Sequence, residues 1–389
     1  MLSAWLGENI AKKENKMPTL AILFTNYGPY HVARLEGCQQ VYRQSNWNVV
    51  GLELACSQAA YAWRPENKTN VVSIFPDQQL EQIKFVRLIQ RFFTVLSEVS
   101  PDALAIAGYA RPTMLLALLW CLWHGKIAIL LSDSKEDDAP RSWWRETLKS
   151  WILKGYKAAL VAGQTHKSYL VKLGMAPNTI FLGYDVVANE IFSPQKIKCL
   201  PRPVEKPYFL AVNRFIPEKN IFGLISSYAA YYQKADSRAW DLVLCGDGQL
   251  RCQIEQYIAE LALQNVVHLP GFLQQNELLP YLAHASCFVH ASIKDTWGLV
   301  VNEAMAAGLP VLVSKRCGCF EDLVIEGKNG FGFAPEKPEQ LAELMRKISS
   351  KTVDLKVMGA ASFEHIQNFS PIYFAESLMQ AVESALVHN

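Results

Sequence analysis

The sequence predicts an α/β protein built as two doubly wound, Rossmann-like parallel-sheet domains facing a central cleft. Three observations carry that expectation. The chain has 389 residues, beyond the ~250–300 at which a single core stops growing. Short apolar runs alternate with amphipathic segments along most of its length, the pattern of parallel strands joined by crossover helices. The alternation stops between residues 193 and 207, where Pro194, Pro201, Pro203 and Pro207 interrupt a charged stretch, and then resumes. The expected units are an N-terminal domain over 1–192, a linker over 193–207, a second domain over 208–369 and a final helix over 370–389.

In the first half, segments 20–25, 48–54, 103–107, 127–131 and 158–162 read as buried strands. Helical spacing marks 30–43, the apolar segment from Pro112, and 79–98, where Ile83, Val86, Ile89, Phe93 and Leu96 form the expected inner stripe. In the second half, 208–212, 241–245, 266–269, 287–290 and 310–314 are strand candidates. Segments 221–233, 250–263 and 298–307 are the helices between them.

Composition narrows the function. A net charge of +2 gives no footprint for nucleic-acid binding. Nine scattered cysteines read as reduced, mostly buried thiols, and Cys317 and Cys319 lack the neighbours a metal site needs. Residues 1–16 hold no apolar core of the signal-peptide kind, and segment 113–123 is shorter than the ~20 residues a spanning helix needs. A cytoplasmic location is therefore expected. Neither first-strand loop carries G-x-G-x-x-G, which disfavours a dinucleotide-dependent dehydrogenase.

Three stretches carry chemistry. DTWGLVVNEAMAAG (295–308) places Asp295 in a loop before a helix opened by Gly298, with Glu303 about two turns further. The N–H groups and partial positive charge at such a helix start suit an anion. A charged cap and a solvated helix Glu explain the same spacing. NRFIPEKN (213–220) follows a strand and offers Arg214 and Lys219 as a clamp for a diphosphate, or as ordinary surface cations. CGDG (245–248) brackets Asp247 with Gly246 and Gly248, which permits close backbone approach to a ligand or simply a tight turn.

In this order, NRFIPEKN, LVLCGDG, VVHLPGF, DTWGLVVNEAMAAGLPVLVS and EGKNGFGF resemble the family 4 retaining glycosyltransferases of the GT-B fold; GYDVVANEIF (183–192) resembles the segment ahead of that family's linker. The resemblance implies transfer of a hexose from a UDP- or GDP-linked donor in glycan or glycolipid synthesis. The N-terminal domain would bind the acceptor and the second domain the donor nucleotide, with the C-terminal helix crossing back to the first. Arg214 and Lys219 would meet the donor diphosphate and Glu303 the ribose hydroxyls. Gly246, Asp247 and Gly248 would line the donor site, and the backbone around Thr296, Trp297, Gly298 and Leu299 would bind the sugar and phosphate. Asp295 stands where the family usually has Glu and would lie beside the sugar. No metal or cofactor would be required.

Two departures bear on the site. Asp295 is one methylene shorter than Glu. The usual His after a strand is absent from SDSKEDDAPR (132–141), leaving Asp133 or Ser134 in its place. The first loop, TNYGPYHVAR (25–34), would lie at the cleft with Gly28, His31 and Arg34 as candidate acceptor or phosphate contacts. The remaining histidines, among them His166 and His290, read as structural or surface residues.

RSWWRETLKSWILKGYK (141–157) mixes Trp with Lys and Arg. That suits peripheral contact with the inner face of a membrane, or a core helix whose long cations reach back to water. A lipid, a polysaccharide precursor and a small metabolite all stay open as acceptors. Two other readings on the same fold stay open as well, a nucleotide-sugar-binding protein with degenerate catalysis and a sugar-nucleotide epimerase.

Overall fold

The computed structural model describes residues 17–57, 68–235, 239–350 and 352–387; residues 1–16, on which the location expectation rests, lie outside them. The first sheet contains β1 (Thr19–Phe24), β2 (Asn48–Glu53), β3 (Val71–Ser73), β4 (Ala103–Ala107), β5 (Ile127–Ser132), β6 (Ala158–Val161) and β7 (Ile180–Leu182). Their spatial order is β3-β2-β1-β4-β5-β6-β7 and every pairing is parallel. The second sheet contains β8 (Tyr208–Val212), β9 (Asp241–Cys245), β10 (Val267–Gly271), β11 (Cys287–His290), β12 (Val311–Ser314) and β13 (Gly330–Phe333). These run β10-β9-β8-β11-β12-β13, also parallel.

The central strands are near-continuous apolar runs because both faces are covered. Ala21, Leu23, Leu104, Ile106, Ala128 and Leu130 point to a core shared with α2 (Phe85–Val99), α3 (Pro112–Trp123), α4 (Trp143–Leu153) and α5 (Gln164–Lys172). Their alternating neighbours Leu20, Ile22, Ala103, Ala105, Ile127 and Ile129 point the other way. There they meet α1 (Pro29–Tyr42) and α7 (Pro371–Val387).

The final helix thus returns to the first domain. Phe374, Leu378, Ala381 and Val382 of α7 are buried against β1 and α1. Gly37 allows the approach, since a Cβ there would stand 2.4 Å from the carbonyl oxygen of Pro371. A further core bridges the halves, joining Val187 and Phe192 to Val301, Ala304 and Met305 of α6 (Leu299–Ala306).

Some local expectations change. The helix in 79–98 begins at Phe85 and buries Leu88, Phe92, Val95 and Leu96, while Val86 is exposed. Ile83 precedes the helix and so cannot set its phase. The short strands β3, β7 and β13 offer too few residues for a period to show. Pro194–Ile197, within the proline-interrupted stretch, forms a helical turn.

Candidate active site

In both sheets the strand order reverses beside the first strand, between β1 and β4 and between β8 and β11. Loops leaving the carboxyl ends of strands at such a point form a crevice. The loops after β8 and β11 carry Lys219 and Asp295, which is why residues so distant in sequence meet.

Lys219 Nζ donates to Asp295 Oδ2 at 2.5 Å. His290, the last residue of β11 and only 1% exposed, places Nε2 at 2.8 Å from the same oxygen. Ser292 Oγ lies 3.2 Å from that nitrogen. Burial alone would raise the Asp295 carboxyl, but His290 and Lys219 outweigh it and hold the group well below the usual carboxylate range. Asp295 is therefore a fixed anion at neutral pH.

Gly298 turns the chain into α6 with φ +103°, and a Cβ there would stand 3.2 Å from His290 Nε2. Glu303, a turn into α6, is 3% exposed and accepts a 2.6 Å hydrogen bond from the Tyr30 hydroxyl. Burial pushes its carboxyl up to about 7, with Tyr30 pulling the other way. The Trp297 ring enters the core and donates from Nε1 to Asn302 Oδ1, so only the backbone of Trp297 faces the crevice loop.

The N-terminal domain reaches the same loop. Thr296 Oγ1 donates to Asp133 Oδ2 at 3.0 Å, and His166 Nε2 lies 2.8 Å from the Thr296 carbonyl oxygen. Lys135 Nζ donates to the Arg316 carbonyl at 2.7 Å, and the Gln164 amide donates to Asp322 Oδ2 at 3.1 Å.

The arrangement brings a fixed anion, a buried acid of raised pKa, a cation and a helix start to one crevice between two Rossmann-like sheets. The family profile described as "Glycosyl transferases group 1" matches residues 193–364, the stretch that supplies Lys219, Asp295 and Glu303. The chain carries a group 1 glycosyl transferase domain. The sulfoquinovosyl transferase SQD2 of Arabidopsis thaliana is 26% identical over 291 residues, 71% of this chain and 53% of that protein. The alpha-monoglucosyldiacylglycerol synthase of Acholeplasma laidlawii is 29% identical over 134 residues, 34% of this chain and 32% of that protein. The chain thus spans about half or less of these relatives' lengths. Anabaena Alr3699/HepE, solved in complex with UDP, superposes with a TM-score of 0.73 at 17% identity, covering 95% of this chain and all of that one. That likeness shows the GT-B fold.

Within the group 1 domain, the other expected donor contacts lie just after β8, β9 and β11. Gly246 (φ +143°) and Gly248 (φ +155°) make room for protein backbone, since a Cβ on them would meet the carbonyl oxygens of Asn213 at 1.8 Å and Phe215 at 2.7 Å. The Asp247 carbonyl accepts from Phe215 N, and its side chain is exposed. Arg214 is exposed on the loop that carries Lys219. Leu299 is half-buried in the first turn of α6.

In the partner domain, Arg34 is not a cleft contact. It is 2% exposed, bonds Asp185 at 2.9 Å and lies over the Tyr184 ring. His31 caps its own helix by accepting from Gly28 N and packs on Phe24, and burial followed by nearby Arg34 and Lys68 keeps it neutral. Gly28 is the N-cap residue of α1.

Tyr30, His166 and His290 were not among the expected contacts; both histidines are buried, as a structural reading expects, and both hold residues of the crevice loop. The position of His290 at the end of a strand, five residues before Asp295, was the available signal. Nothing in the sequence marked Tyr30 or His166, whose partners lie 273 and 130 residues away.

Proposed function

We propose that the protein is a retaining glycosyltransferase of family 4 that moves a hexose from a nucleotide-diphosphate sugar to an acceptor hydroxyl. The observation that carries this reading is the cluster of Lys219, His290 and Asp295 at the start of α6, with Glu303 on the same helix. Lys219, with Arg214 on the same loop, neutralises the leaving diphosphate, a role whose loss costs on the order of 10²–10³ in rate. Glu303 engages the ribose hydroxyls. Asp295, ionised and braced, lies beside the hexose ring.

In the reaction, the bond between the anomeric carbon and the phosphate oxygen breaks. The acceptor oxygen bonds that carbon from the same face, and the departing phosphate takes the acceptor's proton. The products are the glycoside and the nucleoside diphosphate. Charge neutralisation comes from the side chains named, so this scheme calls for no metal ion.

UDP is favoured as the donor nucleotide by the Anabaena relative solved with UDP. A glycolipid or glycan acceptor is favoured by the alpha-monoglucosyldiacylglycerol synthase relative. The test is a thermal melt against UDP, GDP, ADP and dTDP, with Lys219→Ala as control. A nucleotide at ~100 times its Kd stabilises by about 2.7 kcal/mol, a shift of several degrees. A selective shift weakened by Lys219→Ala supports the reading. No shift with any of the four overturns it. Proton NMR of the glycoside then reports whether the anomeric configuration is retained.

A further inference from the structure

Helices α3 and α4 lie side by side over the first sheet. Leu118 of α3 abuts the residue after the α4 turn, where a Cβ on Gly155 would stand 3.1 Å from it. Helix α3 buries one face in the domain core, α4 buries only Leu153 there, and each turns apolar side chains outward. On α3 the outer stripe is Leu119, Leu122 and Trp123, the last 87% exposed. On α4 it is Trp143 (82% exposed), Trp144, Leu148 and Trp151 (70%). Residues 144, 148 and 151 are spaced four and three apart, the interval that aligns side chains on one helix face. The core-helix reading of 141–157 fails here, because these tryptophans face away from the core.

Cations dominate around this face, and the acids at its crevice end, Glu136 and Asp137, are paired with Lys172 and Lys135. Residues 139–184 contain seven Lys or Arg and a single acid, Glu146. That acid is occupied, accepting from Lys149 at 2.9 Å and from the Tyr169 hydroxyl at 2.7 Å. The exposed cations stand among the rings, with the Arg145 guanidinium 5.2 Å from the Trp144 centroid and the Lys154 ammonium 5.4 Å from that of Trp151. Arg145, Lys154 and Lys157 all face solvent.

We propose that this α3–α4 face docks the protein on an anionic lipid surface. Exposed Trp and Leu enter the headgroup boundary, and the interleaved cations meet lipid phosphates. Each Lys or Arg near such a surface strengthens binding about fivefold. A second copy of the chain fits the face poorly, because a two-fold contact sets the patch against itself and cation against cation. Among the described residues no helix is long and apolar enough to cross a membrane. The face also reaches the crevice. Trp143 and Trp144 open α4 directly after the loop that bears Asp133, the partner of Thr296. A lipid-borne acceptor would enter at that end, a clause that rests on the proposed transfer, whereas docking does not.

The experiment is flotation of the full chain with vesicles of phosphatidylcholine and phosphatidylglycerol, and with phosphatidylcholine alone, at low and high salt. The expected result is binding to the anionic vesicles that falls at high salt and is weak without phosphatidylglycerol. Replacing two interfacial rings (W144S/W151S) and reversing two charges (R145E/K154E) should each lower partitioning about tenfold or more. Both variants should keep the parent's melting temperature and nucleotide-induced shift. Failure of the folded protein to float with anionic vesicles overturns the proposal, as does undiminished flotation of W144S/W151S. A sedimentation dimer that the same variant abolishes, in a protein that does not float, assigns the face to a second copy instead. None of these results bears on the nucleotide melts, so this proposal and the glycosyl-transfer reading fail separately.

Discussion

The Tyr30 hydroxyl donates to Glu303 Oε1 at 2.6 Å, tying the first turn of one domain's opening helix to the acid-bearing helix of the other. If Glu303 anchors a ribose, the nucleotide competes with or shares this bond. Tyr30→Phe should cost about 1–3 kcal/mol of stability, as expected for a lost bond to a buried acid. The same change should enlarge the rise in melting temperature produced by whichever nucleotide the parent binds. A smaller rise would make Tyr30 part of the nucleotide site rather than its competitor.

Glu303 also sets a pH dependence. Its carboxyl ordinarily titrates at 4.5, and burial moves it to about 7 in the folded protein. Between those values the folded state keeps a proton that the unfolded chain has released, so this group's contribution to stability declines as pH rises through the window. Above it the cost is constant, about 3 kcal/mol. Glu303→Gln cannot ionise, and its advantage over the parent should be small near pH 5 and largest near pH 8. Melting curves at both pH values check this, and parallel curves would contradict it.

Asp295 behaves in the opposite sense. Its carboxyl is held below the ordinary 3.8 by His290 and Lys219 against the pull of burial. The stability it supplies is present above 3.8 and lost as pH falls through the folded value. Lys219→Ala and His290→Ala should each begin acid unfolding at higher pH than the parent. Because both act on Oδ2, their costs should depart from additivity by about 0.5–3 kcal/mol in a double-mutant cycle. Strict additivity would mean that the shared carboxylate does not couple them.

Gly246→Ala should cost about 3 kcal/mol or more, because strained backbone and a backbone clash coincide. Its φ is +143° and the new Cβ would stand 1.8 Å from the Asn213 carbonyl oxygen. Gly327→Ala is the control, with φ +77° and nothing nearer than 4.0 Å, so it should pay the backbone cost alone. Urea midpoints of the two variants separate the effects.

The central strands and the crevice loops were legible because their signals are local. Strands such as Ala103–Ala107 and Cys287–His290 are apolar runs bounded by polar turns, and NRFIPEKN follows its strand without a gap. Three of the four edge strands, β3, β7 and β13, were not, since they are short and carry no longer apolar run; the fourth, β10, was. The site divided in the same way. Lys219, Asp295 and Glu303 lie in dense motifs within one domain. Tyr30 and His166 enter from across the crevice, and their relevance depends on a domain arrangement that no window of sequence contains. Arg34 was misread for a related reason. The cation in a loop near the cleft was visible, but Asp185, which neutralises it from 151 residues away, was not.

The return of α7 to the first domain sets an order of assembly. Phe374, Leu378, Ala381 and Val382 fill a core whose other walls are β1 and α1. A ribosome that has just completed the first sheet has made a domain with an open apolar face. That face must wait through the synthesis of the entire group 1 domain before its own helix arrives. The two halves therefore finish together, and during translation the nascent chain has a long interval in which a chaperone, or a neighbouring chain's helix, can occupy the vacant place.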